Sequence, residues 1–89
     1  MYTSMIDGMK LEVLGAERRL ALAETALADF TAEHEGKEVP RELARSLERE
    51  RNLLETELDS ARRRYEESAR QLSEALDADR RAFDPARRG

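Results

Sequence analysis

The one histidine, His34, stands between Glu33 and Glu35, and imidazole beside carboxylates is the raw material of a metal site. Helical metal centres use Glu-x-x-His, which places both ligands on one face of the helix. Adjacent residues instead diverge by about 100° around the axis, so the spacing here is wrong for a ligand set. His34 is expected to cap the core beside a turn. There is no Cys, hence no thiolate nucleophile, thiolate metal site or disulfide. With one His, no Gly-rich phosphate loop, and carboxylates that alternate with Arg along helix surfaces, no catalytic constellation can be drawn. The residues therefore predict a protein that is not an enzyme and takes no cofactor and no metal.

The second candidate chemistry is nucleic-acid binding. Arg62, Arg63 and Arg64 form a basic run that Arg80, Arg81, Arg87 and Arg88 could extend. Acids four residues away answer most of it: Asp59 to Arg63, Arg62 to Glu66, Arg63 to Glu67, Glu66 to Arg70 and Asp77 to Arg81. The net charge is −4, and no aromatic residues interleave the run to stack on bases. Nucleic acid is not expected as the main partner. Neither is a membrane: no stretch approaches the ~18 consecutive apolar residues of a span, and the polar face of the first half is poor in Lys and Arg. A cytoplasmic protein is expected. Fourteen Arg against two Lys, with many Ala, suit a GC-rich bacterial or phage genome.

Those side chains must be held by something, and the composition says helices. Ala, Glu, Lys, Leu and Arg make up 55 of the 89 residues, while aromatic residues are 4%. In the first half Ile6, Met9, Val13, Ala16, Leu20, Ala23, Leu27, Phe30 and His34 recur in alternating steps of three and four, the signature of a heptad seam. The second half repeats it as Leu43, Leu47, Arg51, Leu54, Leu58, Ala61, Tyr65, Ser68, Leu72 and Ala75, with a stutter at the start. Ser4 is a candidate N-cap, Gly36 a candidate C′ residue, and Pro40 suits the first turn of a new helix. Asp84 before Pro85 should end that helix. The fold class is all-α, an antiparallel two-helix hairpin or coiled coil in one domain. The first helix covers about 4–34, the turn 35–39, the second helix about 40–83 and a tail 84–89.

A short turn folds the seams onto each other with Leu20 expected against Leu54, Ala16 against Leu58, Val13 against Ala61, Met9 against Tyr65 and Ile6 against Ser68. One flank of that register is attractive, with Arg19 near Glu57 and Glu12 near Arg64. The other is not: Glu17 meets Glu55, Glu24 meets Glu48, and Lys10 meets Arg62. In this register the second helix outruns the first beyond Leu72, and the overhang carries Leu76 and Phe83, seven residues apart on one face. They are the expected docking site for a protein partner of unknown identity.

The back of the first helix, where charge would be normal, carries Gly8, Leu11, Leu14, Gly15 and Leu22. Glycine costs about 1 kcal/mol relative to Ala inside a helix, a cost easiest to understand where another backbone comes close. These five residues are the expected self-association face, giving a homodimer or higher homo-oligomer and, in its simplest form, a four-helix bundle.

The turn, Glu35-Gly36-Lys37-Glu38-Val39-Pro40-Arg41-Glu42, resembles the start of the second helix in the small helical-hairpin subunits of bacterial exonuclease VII. That pattern is shared by any helix started by Pro, and it carries no function over to this chain. The acidic hairpin tip of Glu33, Glu35 and Glu38, with Asp29, resembles that of the transcript-cleavage factors that enter the RNA polymerase secondary channel; their second globular domain has no counterpart in these 89 residues. The leading expectation is a non-catalytic structural or adaptor protein acting through coiled-coil contacts. The alternatives are a small regulator that inserts the acidic tip into a partner enzyme, and an accessory helical subunit of a nucleic-acid enzyme.

Overall fold

The Ala-, Leu-, Glu- and Arg-rich halves of the chain form two helices, as their helix propensity and seam spacing require. A computed structural model describes residues 2–82, with side chains from Ser4 to Ala82. Helix α1 spans Tyr2–His34 and α2 spans Arg41–Ala82, packed antiparallel as a hairpin. It is a rod of 72 × 21 × 16 Å with a radius of gyration of 20.4 Å, against about 12 Å for a globule of this length.

Helix ends differ slightly from expectation. Ser4 lies within the first turns of α1 rather than before its first residue, where a cap would stand. Gly36 is the left-handed residue after α1, at φ 72°, a conformation that Cβ disfavours. Pro40 lies just outside α2, and its carbonyl accepts from the N–H of Leu43 at 2.9 Å and of Ala44 at 3.1 Å, which makes it the cap of the helix. The stretch from Phe83 to Gly89, with the expected helix end before Pro85, lies outside the described residues.

The nine seam positions of α1 are its covered positions, joined by Ala26. In α2 the covered positions are Leu47, Leu54, Leu58, Ala61, Tyr65, Ser68, Ala69, Leu72, Ala75 and Asp79; the expected seam residues Leu43 and Arg51 are exposed. Three residues, Ile6, Ala16 and Phe30, are buried, and among the described residues no large side chain is wholly removed from solvent. One helix against one helix makes a seam, and water reaches it from both flanks.

The register is one heptad away from the expected one. Arg51 places its guanidinium carbon 5.8 Å from the centre of the Phe30 ring. Gly15 and Ala16 share a hollow with Arg64, Glu67 and Ser68, and Ala23 and Ala26 share the next with Ser60 and Ala61. The two sets of covered positions then align as Ile6 with Ala75, Met9 with Leu72, Val13 with Ser68, Ala16 with Tyr65, Leu20 with Ala61, Ala23 with Leu58, Leu27 with Leu54, and His34 with Leu47. Small residues oppose large ones in five of these eight pairs, and Met9 with Leu72, Leu27 with Leu54 and His34 with Leu47 are the larger layers.

The connection accommodates this register: with α1 ending at His34 and α2 starting at Arg41, residues 35–40 stand level with the first residues of α2, and Val39, 37% exposed, lines a hollow with Phe30, His34, Ala44 and Leu47. The first residues of α2 therefore flank the connection rather than α1, which leaves Leu43 53% exposed. At the other end α1 starts level with Asp79, so the long overhang beyond Leu72 does not exist among the described residues.

Candidate protein-binding surface

Residues that alternate through b, c and f positions of a heptad lie on the side of the helix away from its seam. On α1 that outer face carries Leu11, Leu14 and Leu22, which are 69%, 59% and 64% exposed. Between them sit Gly8 and Gly15, and a Cβ built on either would meet nothing within 4 Å. Neither glycine is therefore required by packing inside the hairpin. Arg18, also exposed, is the one charged residue among the leucines. The structure thus brings the five expected self-association residues together on one open face.

The flank beside this face carries a charge pattern that the register decides. Arg19 stands level with Arg64 across the seam, and both line the two hollows there, of about 390 and 470 Å³. Glu12 and Glu67 line the first hollow and Glu57 and Leu22 the second. Neither Arg19 and Glu57 nor Glu12 and Arg64 close as an ion pair, because the heptad shift sets Arg19 against Arg64. On the opposite flank the shift removes two of the three expected repulsions: Glu17 is now level with Arg62 and Lys10 with Ala69. Glu24 still meets an acid, Glu55.

Arg62, Arg63 and Arg64 are exposed, and three consecutive residues point in three directions about 100° apart, so the run is not a patch. The ion pairs of α2 run along the helix. Arg70 binds Glu67 at 2.6 Å and Glu74 at 3.1 Å, and Arg81 binds Asp77. Arg70 thus takes partners other than the expected Glu66, and Glu67 accepts from Arg70 and Gln71 rather than from Arg63. The hydrogen bond from Arg70, and then its charge, hold the Glu67 carboxyl below its ordinary range, while the same partner raises Arg70.

His34 donates from Nδ1 to the carbonyl of Phe30 at 2.9 Å and tilts against the Phe30 ring, with centroids 4.4 Å apart. It closes the end of the seam, as a capping residue should. Among the described residues no group of three or more His, Asp or Glu is placed to hold a metal ion, and no helix is long and apolar enough to cross a membrane. Glu33, Glu35 and Glu38 are all exposed at the hairpin tip, with Lys37 among them. Leu76 is 39% exposed near the start of α1, and Phe83, its expected companion, lies outside the described residues. Leu53, which the seam spacing does not mark, is 65% exposed beside Arg49, Asn52 and Thr56 on the back of α2. The level of Arg19 with Arg64 likewise follows only from the observed register. No protein family matches the chain, and comparison with curated proteins and with solved structures likewise gives no match.

Proposed function

We propose that the chain is a non-catalytic structural or adaptor protein whose hairpin binds protein through the outer face of α1. The observation that carries this reading is the placement of Leu11, Leu14 and Leu22 in solvent, on the helix whose other side already packs on α2. A helix apolar on both sides is normally covered on both. The two glycines support it, since each weakens α1 and serves no contact within the hairpin. A second reading, in which the tip enters a partner enzyme, rests on the exposure of Glu33, Glu35 and Glu38 at one end of a narrow rod. Charge reversal separates the two. In co-purification from the native host, Leu14→Glu with Leu22→Glu should abolish partner capture while Glu33→Lys, Glu35→Lys and Glu38→Lys together leave it intact. The opposite result assigns function to the tip and rejects the outer face.

A further inference from the structure

The outer face of α1 has the spacing of a second seam. Gly8, Leu11, Gly15, Arg18, Leu22 and Thr25 follow one another in steps of three and four, the spacing that lets one straight stripe of a helix meet another. We propose that its occupant is the same face of a second copy, packed antiparallel with Leu11 against Leu22 of the second copy, so that the protein is a two-fold dimer joined through α1. The inference rests on the protein-binding reading above and supplies its partner.

Charge selects both the partner and the register. Antiparallel stripes can be set in steps of one heptad, and only the Leu11-to-Leu22 setting places Glu12 beside Arg19 of the second copy, twice by symmetry. It also lays Leu14 beside Ala21. One heptad in one direction sets Glu12 against Glu12 and leaves Leu11 over Gly15. One heptad in the other sets Arg19 against Arg19 and drives Leu11 onto Asp29. A parallel pairing would bury Arg18 against Arg18, two like charges without a partner. Within the hairpin Arg19 is exposed, lines two hollows with Arg64, Glu57 and Glu67, and closes no ion pair among the described residues, which leaves it open to the arriving Glu12. Gly15 also gains a role: it lies opposite Arg18 of the second copy, and the open space where its Cβ would stand receives the aliphatic stem of that arginine. Leu11, Leu14, Gly15 and Arg18 of one hairpin thus each meet a complementary neighbour on the other.

Because the chain contains no Cys, single cysteines report the register directly. Leu11→Cys and Leu22→Cys chains, mixed under reduction and then oxidised, should form a disulfide-linked dimer of one of each, while either variant alone links poorly. Self-linking of each variant as readily as the mixture would show a parallel or shifted pairing and overturn the proposal. A second readout needs no cysteine. Glu12→Arg alone and Arg19→Glu alone should each raise the dimer dissociation constant several-fold by sedimentation, and the two changes in one chain should restore it. Single reversals without effect reject the register. Wild-type protein that sediments as a 10.2 kDa monomer at every concentration rejects the second copy altogether. In that case the host co-purification with Leu14→Glu and Leu22→Glu still decides whether the face binds a different protein.

Discussion

Ala16, 5% exposed, is among the most covered of the described residues and stands level with Tyr65 across the seam. Ala16→Leu should destabilise the hairpin by about 1–3 kcal/mol, the usual cost of added volume in a packed site, measured by urea unfolding. Ala78→Leu, exposed on α2, should be near neutral, and equal effects from the two would mean that the seam is not where Ala16 lies. Its neighbour Gly15 should behave in the opposite way. With nothing within 4 Å of the built Cβ, Gly15→Ala should stabilise the isolated hairpin by about 0.5–1 kcal/mol through helix propensity alone. If a second copy lays an arginine stem on that spot, the same change should weaken self-association. Thermal unfolding at low concentration reads the first effect and sedimentation the second.

At the scale of the helices, register is the property most open to test. Ala23→Cys with Leu58→Cys should close a disulfide within one chain on oxidation, because the two positions oppose each other. Leu20→Cys with Leu54→Cys, the pair expected from sequence, should not. Both helices and every seam position of α1 were legible in the chain, since Ile6 through His34 keep an unbroken three-four rhythm and Gly36 and Pro40 punctuate the reversal. The register was not, because heptads are interchangeable in steps of seven: Leu20 can meet Leu54 or Ala61 with a small or large neighbour on either side. The register goes with the length of the connection, residues 35–40, and a connection leaves no periodic trace in the sequence. The exposed apolar outer face of α1 was legible as composition, whereas the level of Arg19 with Arg64 depended on the register and was lost with it.

The surface of α2 carries its own titration. The folded Glu67 carboxyl is held below its ordinary value of 4.5, so its pairing with Arg70 contributes above that value and is lost as pH falls through the depressed one. The pair is fully solvated, so salt and water blunt it. Wild type should therefore melt slightly higher than Glu67→Gln near neutral pH, and the two melting curves should converge in acid. A difference that stays the same at every pH down to acid unfolding would assign the effect to something other than this ion pair.

For the molecule as a whole, the connection at residues 35–40 also dictates the order in which the rod comes together. His34 meets Leu47 across a short stretch of chain, whereas Ile6 meets Ala75 across a stretch roughly five times as long, which raises the entropic cost of closing the loop by about 1.4 kcal/mol. With every contact a rung between the same two helices, nothing offers a shortcut to the far rungs. The hairpin should therefore zip from Phe30 and Arg51 toward Ile6 and Ala75, and unzip in reverse. Native-state amide exchange should show protection that declines steadily toward the N-terminal end of α1, with no block of amides lost together. That open end holds Leu11 and Leu14, so a second copy bound there would act as a clasp, and protection near Ile6 should rise with protein concentration.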